Sequence, residues 1–449
     1  DPSESYGGRH WDSFSWHTGP PPRPPTGTGP PAPGPGRGPP AENRRSWAGA
    51  ALVLALALGA CSSDADADTS TPTTTEAVPP ASTTTTVPAA EEVPADADFY
   101  AVPDPLPAGT HGTLLRFQEV TPSVVDGATT YRILYLSESL EGEAIAVTGT
   151  ALVPDAPAPA EGRDLLTIGI ADECAPSKEP GSELLLMGDQ VAAGRLVAMS
   201  DYEGLGTPGR HPYLVGQSEG RGVIDAIVAA GALPDADPGD RLAIAGYSQG
   251  GHGALWANQV AEEWAPELDV VGTFAGAPAT EMQVILRAAP TGFQFLMVAG
   301  YAAAYPEADP TTFLTPEAEA RLDAVDEGCA RDVFGAVSDL PRGQVVQPTA
   351  FDDGPWADLA DENDPGNVAT DDPILVVHSD ADEVVPIVLS QFLLDRMCAV
   401  DQVVERRILT EGDGHGAAAP PAYRLGLAWL DDRFGAEPAE AISSFPTGP

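Results

Sequence analysis

Lysine is nearly missing: Lys178 is the only one, and 22 basic side chains face 67 acidic ones, a formal charge of -45. A surface of that sign repels phosphate backbones and anionic headgroups. Nucleic acid is therefore excluded as a partner, and a membrane is reached only through a covalent lipid. Such a charge bears on solubility, not on fold. Cysteine is scarce too. Cys61, Cys174, Cys329 and Cys398 lie far apart with no CxxC spacing, so no zinc or iron–sulfur site, and no other metal or cofactor, is expected. A membrane-spanning run is lacking: the apolar stretch Trp47 to Ala60 has about two-thirds of the needed length. Internal repeats are absent, which excludes solenoids.

What is present falls into unlike segments. Residues 1–43 are rich in Pro and Gly, cannot bury a core, and are read as a disordered head. The sequence opens on Asp1 rather than Met, so the natural start is left open and this head is a candidate artefact of a misplaced one. Residues 44–61 pair Arg44-Arg45 with a short apolar run and end in Leu58-Gly59-Ala60-Cys61, the form of an export signal. Its last residue resembles the lipobox cysteine that takes the lipid, so Cys61 is the expected lipidation site; ordinary cleavage near Ala60 is the plainer alternative. Three cysteines then remain for one disulfide and one free thiol, and sequence does not choose the pair. Residues 62–98, with Thr73-Thr74-Thr75 and Thr83 to Thr86, are read as a solvated tether of roughly 35 Å. Residues 437–449 are a tail.

From Phe99 onward the pattern is globular. Residues 131–136 and 144–153 carry β-formers. Short apolar runs at Leu165–Ile170, Leu196–Met199, Leu242–Ala245 and Ile374–Val377 suit buried parallel strands. Between them Ile224, Ile227 and Val228 share a helical face, as do Ala257, Val260, Ala261 and Trp264, and later Tyr423, Leu427, Leu430 and Phe434. This alternation predicts an α/β fold, a mostly parallel sheet covered by helices, over residues 99–277 and 371–436. Residues 278–370 break it with the apolar stretch Phe293 to Tyr305 and acidic helices, and are expected to form a mainly helical cap.

The chemistry centres on Gly246-Tyr247-Ser248-Gln249-Gly250, a G-x-S-x-G between an apolar strand and a helix. In that setting the serine occupies a strained turn that exposes its hydroxyl, and the glycines let chains pass closely. The Gln249 N–H then points at a developing oxyanion. A serine hydroxyl needs a base. His10 and His17 lie in the head, His111 precedes the sheet, His211 lies in a Gly/Pro loop, His252 is inside the elbow helix and His378 ends a strand. His415 sits in the glycine-rich stretch Glu411–Gly416 after the strand Val403–Leu409 and is the expected base. Asp380, Asp382 and Glu383 compete for the third position. The spacing to Val385-Pro386 resembles the H-G-x-x-D-x-x-V-P turn of α/β-hydrolases and favours Asp382, although Ser379 stands where that pattern has Gly. The order Ser248, Asp382, His415 is the order of that fold. Gly169 and Ile170 are candidates for the second oxyanion donor, with Asp172 shaping the loop, although a His-Gly start is missing there.

Three segments, Ala171–Ser177, Asp201–Leu214 and Gly246–His252 with Ala254-Leu255-Trp256, together resemble the secretory lipase family over roughly residues 99–436. The resemblance implies an α/β-hydrolase core, a helical cap after the elbow helix, and metal-free hydrolysis of acylglycerols or simpler esters. It also implies a disulfide between the oxyanion-side loop and the cap, which favours Cys174–Cys329 and leaves Cys398 free. Two other functions stay open: amide hydrolysis by the same triad, and a catalytically silent surface-binding lipoprotein. The apolar Phe293–Tyr305 stretch suits an acyl group better than a peptide terminus.

Overall fold

The computed structural model describes residues 89–95, 97–170, 182–328, 330–352, 354–410 and 414–435. The expected head, the export signal with Cys61, the tether up to residue 88, Asp172, Cys174, Cys329 and the tail lie outside them. Cys398 is a free, exposed thiol.

Continuous apolar runs build the centre of the sheet. The strands are β1 (Glu91–Glu92), β2 (Leu114–Val120), β3 (Ala128–Glu138), β4 (Ala144–Pro154), β5 (Arg163–Gly169), β6 (Leu196–Ser200), β7 (Pro238–Tyr247), β8 (Asp269–Gly276), β9 (Ile374–Ser379) and β10 (Val404–Leu409). Among the described residues they form one sheet in the order β1-β2-β3-β4-β6-β5-β7-β8-β9-β10. Pairing is antiparallel from β2 to β6 and parallel from β6 through β5 to β10. Leu166, Ile168, Leu242, Ala243, Ile244 and Ala245 are fully buried because helices cover both faces there. The outermost β10 is half-exposed and carries Arg406 and Arg407, as a sheet edge tolerates charge.

The helices are α1 (Gly188–Ala192), α2 (Gly216–Ala230), α3 (Gln249–Trp264), α4 (Met282–Ala288), α5 (Thr291–Ala304), α6 (Pro310–Phe313), α7 (Pro316–Glu319), α8 (Ala324–Glu327), α9 (Ala330–Val337), α10 (Trp356–Glu362), α11 (Ile387–Ala399) and α12 (His415–Phe434). α2 and α12 bury Ile224, Ile227, Tyr423 and Leu430 in the main core, and α3 packs with them through Ala254, Ala257 and Ala261. Each fully buried aliphatic side chain contributes about 1.5–3 kcal/mol. α4 to α10 all lie between β8 and β9, and their apolar faces form a second core with Phe295, Met297, Tyr301, Phe313 and Trp356. Tyr213, Leu214 and Val215 join that core from the loop ahead of α2.

The fold takes in residues ahead of Phe99. β1 pairs with β2, the Val93 N–H donates to Phe117 O at 3.0 Å, and the Gln118 side-chain amide donates to Pro94 O at 2.7 Å. Val93 and Phe99 are buried with Leu134 and Leu136. Composition had hidden this: two acidic residues and a proline in sequence look like tether, yet an edge strand needs only backbone partners.

Candidate active site

Strand order reverses around β5, with β6 on one side and β7 on the other. In open α/β sheets the crevice beyond the carboxyl ends at such a reversal is where ligands bind. β7 delivers Ser248 to that end. Ser248 has φ 58° and ψ -119°, a conformation that costs a non-glycine residue about 1–3 kcal/mol and persists only when its surroundings enforce it. They do so through backbone bonds: the Ser248 N–H donates to Gly276 O at 2.9 Å, and its carbonyl accepts from His252 N at 3.1 Å and Ala279 N at 3.3 Å. The flanking glycines are steric necessities. A Cβ on Gly246 would lie 1.9 Å from Gly250 O, and one on Gly250 would lie 2.0 Å from Gly169 O. The end of β5, with Gly169 and Ile170, therefore packs against the first turn of α3. Gln249 opens that helix, so its N–H is one of the amides a helix leaves unpaired.

The His415 ring lies between Ser248 and Asp382. Its Nε2 is 2.9 Å from Ser248 Oγ and its Nδ1 is 2.7 Å from Asp382 Oδ2. A carboxylate accepts, so Nδ1 carries the proton and Nε2 offers its lone pair to the serine hydroxyl. Asp382 is buried, and its Oδ1 accepts from the backbone N–H of Val384 at 2.9 Å and of Val385 at 2.8 Å. Burial alone would raise its carboxyl. Hydrogen bonds from His378 and His415, and the charge that the His415 ring can carry, outweigh it and hold the group below the usual carboxylate range. Of the competing acids, Asp380 is exposed, and Glu383 accepts from the His415 backbone N–H at 2.9 Å rather than from its ring. The Tyr247 hydroxyl donates to His415 O at 2.7 Å. His415 is the first residue of α12, where a loop position ahead of the helix was expected.

A polar network lies behind the turn. Glu219, fully buried, accepts from Leu214 N at 3.0 Å, Gln249 Nε2 at 2.9 Å and His252 Nδ1 at 2.6 Å. His252 Nε2 lies 3.0 Å from Asn363 O, which ties the elbow helix to the segment after α10. Gln249 Nε2 also lies 2.8 Å from His211 Nε2, and His211 Nδ1 lies 3.0 Å from Glu203 O. A carbonyl accepts, so Nδ1 is protonated and Nε2 takes the Gln249 hydrogen. Burial lowers the His211 pKa and keeps this neutral form. Among the described residues no group of three or more His, Cys, Asp or Glu is placed to hold a metal, and no helix is long and apolar enough to cross a membrane.

Sequence reasoning missed Tyr247, Glu383 and Glu219 as parts of this site. Tyr247 occupies the free position of G-x-S-x-G, and Glu383 had been weighed only as a ring partner. Glu219 carried no motif, and its role follows from α2 packing on α3.

The profile of the family described as secretory lipase matches residues 179–441. The chain belongs to the secretory lipase family. Among its relatives, Lipase A of Moesziomyces aphidis is 26% identical over 291 residues, covering 60% of this chain and 61% of that protein. The chain thus spans about three-fifths of that relative's length. A protein of Mycobacterium tuberculosis named a probable inactive lipase is 26% identical over 385 residues, 77% of this chain and 83% of that one. The X-ray structure of Candida antarctica lipase A in its closed state superposes with a TM-score of 0.64 at 20% identity, covering 77% of this chain and 88% of that one. The sheet and helices of this family member are those of the α/β-hydrolase fold.

Proposed function

We propose that the chain is a carboxylic ester hydrolase that works through an acyl-enzyme on Ser248 and acts on acylglycerols or other apolar esters. The observation that carries this is the hydrogen-bonded line Ser248 Oγ, His415 Nε2, His415 Nδ1 and Asp382 Oδ2, with steps of 2.9 and 2.7 Å. Ser248 Oγ attacks the ester carbonyl while its proton passes to His415 Nε2. Asp382 stabilises the imidazolium without taking its proton. The oxyanion is received by the Gln249 N–H, helped by the positive end of α3, and by the Gly169–Ile170 backbone. His415 returns the proton to the leaving alcohol. Water then enters, loses a proton to His415, and releases the acid. No metal or cofactor takes part.

An apolar acyl group is favoured by what stands near the turn. Leu205, Tyr213, Leu296, Ala299 and Val325 line a cleft between the loop ahead of α2 and the cap, with the Arg210–Asp326 ion pair also on its wall, and His211, which meets Gln249, lines it too. The relatives named lipases support the ester class. Family membership also supports export, for which residues 44–61 are the proposed signal, with Cys61 as lipid anchor and Cys174–Cys329 as the disulfide.

The relative named probable inactive gives one reason to hold a second function in view, binding without turnover. A fluorophosphonate probe separates the two. Stoichiometric labelling of Ser248, located by peptide mass spectrometry and absent in Ser248→Ala, is the expected result. A folded protein that takes no label supports the binding function.

A further inference from the structure

We propose that His378 is a positioning residue for the triad carboxylate: its Nε2–H holds Asp382 Oδ2, the same oxygen that faces His415, and so tempers the basicity of His415. This rests on the Ser248–His415–Asp382 assignment above.

His378 is the fifth residue of β9 and its side chain is wholly buried. Its Nε2 lies 2.9 Å from Val385 O. A carbonyl can only accept, so the proton is on Nε2. Nε2 also lies 3.3 Å from Asp382 Oδ2, so the carboxylate takes the weaker, secondary share of a hydrogen aimed first at Val385 O. Among the described residues Nδ1 is buried with no hydrogen-bond partner. An imidazolium there would bury a charged N–H unsatisfied, which is far costlier than a bare lone pair. His378 is therefore the neutral Nε2–H tautomer, a donor without charge.

Every acceptor position of Asp382 is then used. Two backbone amides occupy Oδ1, and two imidazoles meet at Oδ2. The other titratable groups near this cluster are Glu383 on the same loop, His415 on α12 and Tyr247 on β7, while β10 places Ile408 opposite His378. Without the His378 donor, Oδ2 would direct its full proton affinity at His415. The pair would tighten, the imidazolium would be favoured in the resting enzyme, and a higher pH would be needed to free the base. Val385 O would also lose its donor, loosening the turn that aims Asp382.

The test compares His378→Phe, which has no donor, with His378→Gln, whose side-chain amide can donate, in the full chain on a soluble p-nitrophenyl ester. The Phe variant is expected to lose about ten- to a hundredfold in kcat/KM, the loss that one hydrogen bond to a charged group implies. Its acid limb should move to higher pH, and Gln should recover most of both. A folded Phe variant with the wild-type rate and acid limb overturns the proposal. So does equal loss in both variants with the limb unmoved, which would mark a merely structural residue. Should the Phe variant not fold, ¹⁵N-histidine spectra of the wild type decide: His378 is expected with its hydrogen on Nε2, and an Nδ1–H tautomer overturns the proposal. Wild type with no Ser248-dependent turnover would instead bring down the triad assignment and this proposal together.

Discussion

Ser248 is held in a conformation that its own backbone disfavours, and His415 is gripped at both main-chain atoms, by Glu383 at the N–H and Tyr247 at the carbonyl. Such anchoring fixes a base to within the tolerance that proton transfer needs. Asp382 then decides which nitrogen of His415 carries the proton. Asp382→Asn keeps the shape but offers an amide where a carboxylate stood, and so favours the wrong tautomer. Under the proposed mechanism kcat should fall about 10⁴-fold, measured by steady-state ester hydrolysis, with little change in thermal stability. Much of this site was legible at the level of residue types. The glycines around Ser248 announced a close approach, and the spacing from Asp382 to Val385-Pro386 singled out one acid of three. The anchors of the His415 main chain were not legible, because any residue with a hydroxyl or carboxylate can accept or donate there and only the fold brings it near.

At the scale of elements, α2 and α3 are joined through a buried carboxylate. Glu219 on α2 binds both Gln249 and His252 on α3, and His252 reaches on to Asn363 just beyond α10. Removing the His252 ring takes the donor from the buried Glu219 Oε2, while Leu214 N–H and the Gln249 amide stay on Oε1, and it leaves a cavity in the interior. His252→Ala should therefore cost about 2–4 kcal/mol of stability, read as a lowered midpoint in urea with the slope unchanged. Rates at the surviving native fraction should drop too, because Gln249 shares the same carboxylate. The continuous apolar runs located the central strands β5, β6 and β9 close to their observed limits, whereas Leu242–Ala245 marked only the buried half of β7, which runs from Pro238 to Tyr247. β8 was less visible: Asp269–Gly276 mixes Gly, Thr and Asp with apolar residues, and it is buried by its place between β7 and β9 rather than by its composition. The last helix was expected from Tyr423 but starts at His415, running through Pro420 and Pro421. Proline signals a break in a helix interior, and here packing of Ala418, Ala419 and Ala422 against the core overrides it.

For the whole molecule the acidic excess meets several buried acids. Burial lifts Asp364 to about 6, aided by Glu281 and opposed by Arg396, and burial with Asp269, Asp371 and Glu262 lifts Asp372 to about 6. A carboxyl whose folded pKa is raised binds its proton more tightly in the native state, so stability falls as pH rises from about 4 to 6. His111, raised by its hydrogen bond to Asp225, acts in the same sense: its contribution is complete below the unfolded value of 6.5 and fades as pH rises through the folded one. Asp382 acts oppositely, but only when pH falls below the ordinary carboxylate range. Self-repulsion at a formal charge of -45 adds to the loss at high pH. Scanning calorimetry should give a Tm higher at pH 5 than at pH 8 by roughly a few degrees, the scale of a kcal/mol or two in a domain of this size, with added salt narrowing the gap. A Tm that rises steadily from pH 5 to 8 would contradict this.

The central claim is that Ser248 is the nucleophile of an ester hydrolase. Its most direct test is hydrolysis of p-nitrophenyl esters from two to sixteen carbons by the wild type and by Ser248→Ala, with folding of both confirmed. The account predicts turnover by the wild type, a loss of about 10⁶-fold in kcat on removing the serine hydroxyl, and a chain-length maximum that reports the cap's acyl site. Equal rates in the two proteins, or no turnover of any ester by a folded wild type, would contradict it.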